Sequence, residues 1–300
     1  MKEGYLLVDA LPWKNATLDK LMQVMTVKVG HFEVNYGDEH FRRSDNGNSL
    51  YNPFVGNLIM DAFTTEIGGE VYFRKAGWMA MGGITGGEIH GQVSTPDKRS
   101  PSYLAKVGFD RQLDEALRVR LTGSMYYNGG AVNNTLYSGD RAGSRYYDVM
   151  ENTSSTESAQ AWSGAIQPGF RRNVKAFVVN PFVKYHGLEL FGDVERAKGK
   201  ASNETTNRTW NQYAGEAVYR FLPREQMYVG ARYNTASGQL FGIPNDVTVH
   251  RYQLATGWYI TPGILGKVEY VNQRYHDFPI TDIRHDGRFH GIMVEGAVGF

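Results

Sequence analysis

Apolar and polar residues alternate with a period of two along most of this chain. In residues 117–127, for example, Leu117 and Leu121 share one face, while Arg118 and Arg120 lie on the other. Successive side chains of a strand point to opposite faces, whereas a helix would mix these arginines among the leucines. The pattern therefore predicts β-strands, each with one apolar and one polar face.

The same period recurs along the whole chain and predicts about thirteen strands. The segments are 5–11, 23–36, 63–74, 77–92, 102–113, 117–127, 173–186, 188–198, 213–221, 227–234, 251–260, 264–275 and 291–300. Many exceed the roughly 5 or 6 residues of soluble strands and match the roughly 9 to 11 that a tilted membrane strand needs. The apolar phase shifts by one residue at Gly30, which predicts a bulge. Thr17–Met22 allows one helical turn at most.

The predicted connections alternate between long and short when followed back from the C-terminus. The long ones are 276–287, 237–247, 199–207, 129–172, 93–101 and 37–62, and the short ones are 261–263, 222–225, 186–187, 114–115 and 75–76. Outer-membrane barrels have short periplasmic turns and long extracellular loops. We therefore predict an all-β fold: one antiparallel up-and-down transmembrane β-barrel domain over residues 1–300, with about 14 strands (roughly 12–16).

Composition narrows the class of protein. Hydrophobic residues make up 41% of the chain, and no apolar stretch is long enough for a transmembrane helix. The chain has no Cys, which excludes disulfides and thiolate zinc sites. The 32 basic and 31 acidic residues balance, so nothing indicates a nucleic-acid partner.

Aromatic residues on the apolar faces fall where two interfacial girdles are expected. Phe73, Tyr185, Phe221, Trp258 and Phe300 lie by the short turns, and Tyr103, Tyr127, Tyr233 and Tyr252 lie toward the long loops.

The N-terminal region carries no signal peptide of the usual kind. Thirteen strands is an odd number, whereas bacterial single-chain barrels have even numbers. We therefore expect one or more N-terminal strands to precede this sequence, or a further hairpin within 129–172.

Two segments resemble known outer-membrane proteins. The strand from Gly291 to Phe300 resembles the C-terminal strand that the barrel-assembly machinery recognises, with Phe300 as the assembly signal. Val27–Gly37 resembles a strand of phosphate-selective-type porins of Bacteroidota. The resemblance implies a porin in the bacterial outer membrane, in contact with lipid and lipopolysaccharide. A homotrimer or a partner in an envelope complex is also possible.

In that family, lumenal Arg and Lys confer phosphate selectivity, but here the polar faces carry both charges. The predicted lumen-lining basic residues are Lys106, Arg118, Arg120, Lys184, Arg220, Arg232, Arg251 and Lys267. The acidic ones are Glu70, Asp110, Glu189, Asp193, Glu195, Glu216, Glu269 and Glu295, of which Glu70, Glu189, Glu216 and Glu269 are the predicted solute contacts. Equal numbers do not predict anion selectivity, and opposite charges on neighbouring strands would fasten the wall.

The segment Gly37–Ala62 has two interpretations. It is either a constriction loop inside the lumen, with Arg42, Arg43 and Asp45 touching solute, or a solvated extracellular loop. Its apolar end, residues 53–60, favours packing inside the barrel or against a partner.

Motifs for other chemistry are weak. Gly82–Gly87 lacks the Lys of a P-loop, and Ser163 lacks the glycine of a nucleophile elbow. Solvated side chains are the favoured interpretation of the loops rich in His and Asp, and the Asp-rich loop could bind Ca²⁺ through its oxygen ligands. We expect a passive or uptake channel for small hydrophilic solutes, without enzyme activity, cofactor or structural metal. The alternative is a non-transporting barrel that serves as a scaffold or accessory subunit.

Overall fold

A computed structural model describes residues 3–13, 15–42, 48–88, 99–137, 146, 148–156 and 164–299, and it contains one antiparallel sheet of thirteen strands. Each strand pairs with the next one in the chain. The strands are β1 (Gly4–Val8), β2 (Met25–Glu33), β3 (Thr65–Lys75), β4 (Trp78–Thr85), β5 (Ser102–Gln112), β6 (Leu117–Asn128), β7 (Arg172–Tyr185), β8 (Leu188–Lys200), β9 (Arg208–Phe221), β10 (Met227–Gln239), β11 (Asp246–Thr261), β12 (Ile264–His276) and β13 (Arg288–Val298). The predicted all-β antiparallel meander is confirmed.

The predicted alternation of connections is also confirmed. Short turns join β3 to β4, β5 to β6, β7 to β8, β9 to β10 and β11 to β12, and longer connections join the other neighbours from β2 onward. We call the two ends of the sheet the short-turn end and the long-loop end. The β1–β2 connection lies at the short-turn end and contains helix α1 (Ala16–Met22).

Two local predictions were wrong. Helix α1 extends over seven residues rather than one turn, because the Asn15 side chain caps its first turn by accepting hydrogen bonds from the Thr17 and Leu18 N–H groups. No bulge occurs at Gly30, since the register of β2 with both neighbours is continuous there. The apolar phase shifts because Phe32 faces the interior, where it is fully buried.

No helix in the described part of the chain is both long and apolar enough to cross a membrane.

The outer face of the sheet is an apolar band. Leu254 on β11 and Ile292 on β13 are 59% and 70% exposed. Eight of the nine predicted girdle aromatics are on the exposed side of their strands, and Phe300 lies outside the described residues. Such a face is stable only against lipid or another apolar surface.

The inner face surrounds a packed interior. Fully buried aromatic residues such as Tyr126, Tyr137, Phe170 and Trp210 pack together toward the long-loop end. Tyr137 and Phe170 belong to the connection between β6 and β7, so the described parts of this connection next to the two strands fold inward. The interior is therefore filled near the long loops.

Candidate functional site

The connection between β2 and β3, residues 34–64, runs through the interior, and we call it the inserted segment. Val34–Glu39 and Asn52–Met60 are buried. The interpretation of Gly37–Ala62 as a solvated extracellular loop was therefore wrong for these two stretches, which lie inside the sheet. Arg43 and Asp45 lie outside the described residues.

The first half of the inserted segment is held through Asp38. Its carboxylate pairs with Lys106 of β5 at 2.8 Å and with Arg120 of β6 at 3.0 Å. Its N–H donates to Asn180 Oδ1 of β7 at 2.9 Å. Lys106 also donates to the Gly37 carbonyl at 2.8 Å. One acidic residue thus connects the segment to three consecutive strands.

Arg42 connects the segment to the next two strands of the sheet, β8 and β9. Its guanidinium pairs with Glu216 of β9 at 2.6 Å and with Glu39 at 2.9 Å, and it lies over the Phe191 ring of β8 at 4.3 Å. Glu216 also pairs with Arg232 of β10 at 2.6 Å. Because two arginines share one buried carboxylate, each charge is compensated within the interior.

The second half of the segment is bound by two charged residues of β12. Lys267 Nζ donates to the carbonyl oxygens of Ser49, Asn52 and Phe54 at 3.1–3.2 Å. Glu269 Oε2 accepts a hydrogen bond of 2.7 Å from the Val55 N–H. This part of the segment has no strand partner for its backbone. The Lys267 ammonium therefore provides the hydrogen bonds that its carbonyl groups need, and the Glu269 carboxylate accepts the one that the Val55 N–H needs.

Uncharged amide side chains complete this set of contacts. Gln212 of β9 binds both backbone groups of Met60, accepting from its N–H at 2.7 Å and donating to its carbonyl at 2.8 Å. Asn234 of β10 accepts from the Ile59 N–H at 2.6 Å. Gln212 and Asn234 were not among the residues predicted to line the lumen, since those are all charged. The signal available in the sequence was an amide at an inward position of the strand.

These contacts have a common physical cause. Buried backbone groups that lack a hydrogen-bond partner cost several kcal/mol each at membrane depth, where water does not compensate them. Apart from two short 3-10 helices, Glu39–Arg42 and Asn48–Leu50, the described part of the segment has no regular structure. Its N–H and C=O groups therefore depend on inward side chains, which fix its course through the interior.

The eight basic lumen-lining residues and the four acidic ones predicted to contact solute all lie on the inner face, but these twelve divide into two groups. The buried group contacts the described part of the inserted segment or the next connection, and it comprises Glu70, Lys106, Glu216, Arg232, Arg251, Lys267 and Glu269. The other group is partly exposed near the short-turn end and comprises Arg118, Arg120, Lys184, Glu189 and Arg220, of which Arg120 also pairs with Asp38 of the segment. Contact with solute stays a prediction for both groups, and it is geometrically open for the second.

We call the partly exposed inner face that carries this second group, near the short-turn end, the vestibule. Arg118 pairs with Asp110 at 2.7 Å, and their side chains are 43% and 38% exposed. Arg220 pairs with Glu189 at 2.9 Å, beside Lys184. An adjoining cavity of about 510 Å³ reaches Asp38 and Phe41 of the inserted segment. The vestibule thus leads from the short-turn end to the segment, and both charges line it.

The predicted pairing of opposite charges across strands is confirmed on this inner face. Arg232 lies directly opposite Glu216, and Lys267 lies directly opposite Glu295, with which it pairs at 3.0 Å. Opposite charges in directly opposed positions stabilise neighbouring strands. The charges therefore fasten the wall of the sheet as well as the inserted segment.

In the 277–287 connection, a candidate calcium ligand, Asp282, forms an ion pair with a neighbouring arginine. Asp282 accepts two hydrogen bonds from the Arg284 guanidinium, at 2.7 and 2.8 Å, and this contact holds the pKa of Asp282 below its usual value. Among the described residues, no group of three or more His, Asp or Glu side chains is arranged to hold a metal ion. Calcium binding by the loops stays a prediction.

Comparison with known proteins shows similarity in structure only. No protein-family model matches the chain. No curated protein matches it either. Outer-membrane expressed OmpT of Vibrio cholerae is similar over 99% of this chain and 79% of its own, with a TM-score of 0.55 and 10% identity.

Two further solved structures are similar to the chain in fold, again at low sequence identity. An anion-selective porin from Comamonas acidovorans covers 92% of this chain and 74% of its own, with a TM-score of 0.52 and 12% identity. OprB of Pseudomonas putida covers 91% and 68%, with a TM-score of 0.52 and 14% identity. The chain therefore has the fold of outer-membrane β-barrel proteins, and these neighbours support its predicted location in the bacterial outer membrane.

Proposed function

We propose that this protein is a porin-like outer-membrane channel for small hydrophilic solutes, and that the inserted segment is its constriction. The observation that carries the proposal is the course of residues 34–64 across the interior, in contact with side chains of β3 and β5–β12. Sheets of this size curl around a space wide enough for a channel. A segment held across that space limits what passes.

The vestibule indicates the class of solute. Its charged pairs, Arg118 with Asp110 and Arg220 with Glu189, place both signs along the approach to the segment. We therefore infer a low-conductance path for small polar solutes without strong ion selectivity. The resemblance to phosphate-selective-type porins of Bacteroidota and the homotrimer belong to this proposal as hypotheses, and so does the absence of enzyme activity.

Planar-bilayer recording of the purified protein tests the proposal. We expect small, regular conductance steps from the wild-type chain. The double variant Gln212→Ala/Asn234→Ala removes the side chains that hold Ile59 and Met60, so the segment should loosen. We expect its conductance to be at least twofold larger, with more frequent closures.

The control is Gln239→Ala, whose side-chain amide donates only to the exposed Pro244 carbonyl. Its conductance should equal that of the wild type. Complete absence of steps from wild type and double variant, in several salts, would contradict the channel.

A scaffold or accessory subunit is the second candidate, and the packed interior favours it. Buried Tyr126, Trp210 and Phe289 fill the end of the interior near the long loops. We expect a scaffold to copurify with a stoichiometric envelope partner from cross-linked membranes and to show no conductance. A channel should retain its conductance after such partners are removed.

A further inference from the structure

The outer face of the sheet carries basic residues above the apolar band, toward the long-loop end. On β12 and β13, Arg274 lies directly opposite Arg288, and His250 of β11 lies opposite Arg274 on the other side. On β7 and β8, Lys175 lies directly opposite Lys198. We call these residues the basic rim. They occupy outward positions of their strands, close to the ends that the long connections join.

Directly opposed like charges destabilise a pair of strands. On the inner face Arg118 lies directly opposite Lys184, but each of the two also has a carboxylate partner, Asp110 for Arg118 and Glu189 for Lys184. Within the described part of the chain, Arg274, Arg288 and Lys198 have no carboxylate within the 4.0 Å of an ion pair. The same unfavourable arrangement therefore occurs on two separate strand pairs, β7–β8 and β12–β13, at the same end of the sheet. An anion that bridges each pair would remove the repulsion.

The surface beside Arg274 has a shape that suits such a ligand. A groove of about 470 Å³ runs from Arg274 and His276 past His250 to Tyr252 and Tyr270. The His250 and His276 rings lie 5.2 Å apart, and Tyr233 Oη lies 2.8 Å from His250 Nδ1. The groove has hydrogen-bonding groups at the long-loop end and aromatic rings toward the apolar band.

From the middle of the sheet toward the long-loop end, the outer face is first apolar, then aromatic and then basic. The parts of a lipid molecule, from its acyl chains to its phosphate groups, follow the same order. Below the groove lie exposed Leu254 and Ile292, which suit acyl chains. Aromatic rings such as Tyr252 suit the interface, and the guanidinium groups of Arg274 and Arg288 suit phosphate, which arginine binds through paired hydrogen bonds. A free phosphate ion would use only the last of these surfaces.

We propose that the basic rim binds the phosphate groups of an anionic lipid headgroup in the leaflet at the long-loop end. Arg274 and Arg288 form the first site, with His250 and His276 beside it, and Lys175 and Lys198 form the second. The proposal rests on the membrane location of the sheet and not on conduction, so a failure of the channel experiment leaves it in place.

The test measures thermal unfolding of the purified full chain in detergent micelles, titrated with bisphosphorylated lipid A. We expect the midpoint to rise with lipid A and to stay constant with the same lipid after removal of its phosphates. Inorganic phosphate at the same concentration should leave it unchanged. An equal rise with inorganic phosphate would overturn the lipid assignment, and no rise with any of them would overturn the site.

Matched variants locate the site. Arg274→Gln/Arg288→Gln should weaken half-saturation by lipid A at least tenfold, because two charge-assisted contacts are lost. Lys75→Gln/Arg111→Gln removes the same charge from exposed positions at the short-turn end and should bind as the wild type does. Equal weakening in both variants, or in neither, would overturn the proposal.

The same variants also test the repulsion without any lipid. Since Arg274→Gln/Arg288→Gln removes two opposed positive charges, its unfolding midpoint in lipid-free micelles should equal or exceed that of the wild type. A lower midpoint would show that the arginines stabilise the sheet by themselves and would overturn the argument from like charges. A higher midpoint combined with weaker lipid binding is the result that a ligand site predicts.

Discussion

At the scale of single residues, the inner face combines two uses of polar side chains. Near the short-turn end, pairs such as Arg118 with Asp110 are half exposed and contribute little to stability, as solvent-exposed ion pairs generally do. Deeper inside, Lys267 and Glu216 are almost fully buried and bind the inserted segment. Buried charges cost far more to leave unpaired than exposed ones. The two groups therefore respond differently to mutation.

Lys267→Met tests this difference. The substitution keeps an unbranched side chain, but it leaves three carbonyl oxygens and Glu295 without their cation. We expect the free energy of unfolding in urea to fall by about 3–5 kcal/mol. Lys184→Met, which removes a partly exposed lysine paired with Glu189 and Glu225, should cost about 0–1 kcal/mol. Similar losses in both variants would contradict the assigned role of Lys267.

At the scale of elements, the strands follow from local pattern, and the irregular parts follow from close contacts. β1 is exposed on both faces, and among the described strands it pairs only with β2. In this pairing Gly30 lies opposite Tyr5 and has a φ of +146°, and a Cβ there would lie 2.5 Å from the Gly4 carbonyl oxygen. Only glycine allows this approach without strain. The phase shift at Gly30 was a correct signal of an unusual position, although the structure there is not a bulge.

Gly30→Ala should therefore release β1. The strain of about 1–3 kcal/mol expected for an unfavourable backbone conformation should accelerate amide hydrogen exchange of Gly4–Val8 about tenfold or more. The control is Gly69→Ala on β3, where a Cβ would meet the Lys28 carbonyl oxygen at an ordinary 3.5 Å. Exchange in β1 should be unchanged in the control. Unchanged exchange in Gly30→Ala would contradict the close approach.

At the scale of the whole molecule, the two faces of one sheet have opposite requirements. The outer face exposes large apolar side chains, while the inner face buries charged and amide groups against the inserted segment. A water-soluble protein would bury the first face and solvate the second. This inversion is stable when lipid covers the outer face, which agrees with the location that the structural neighbours support.

An arginine scan of the outer face tests the membrane position. Leu254 lies near the middle of β11 and is 59% exposed, so Leu254→Arg should place a charge at the centre of the bilayer. We expect a loss of about 2–4 kcal/mol in the free energy of unfolding from lipid vesicles. Ser237→Arg, near the long-loop end of β10, should cost about 0–1 kcal/mol. Equal costs at the two depths would argue against a spanning sheet.

The sequence by itself determined the strands, their order and the face that each residue occupies. Those features depend on a period of two and on the length of each connection, which are local properties of the chain. The charges on the inner face, from Glu70 to Lys267, were predictable for the same reason. Their opposite-charge pairing followed once neighbouring strands were known.

Only the tertiary structure decided the course of the inserted segment. Met60 is bound by Gln212, and Val55 is bound by Glu269, so the partners lie far along the chain. No local pattern encodes such contacts, because they exist only after the sheet has curled. Because distant strands come close together, their side chains also fill the interior near the long loops. The number of strands alone did not predict this filling. The buried backbone of the inserted segment needs hydrogen-bond partners. Several of the charges that were predicted to line the lumen provide them, so these charges bind the segment.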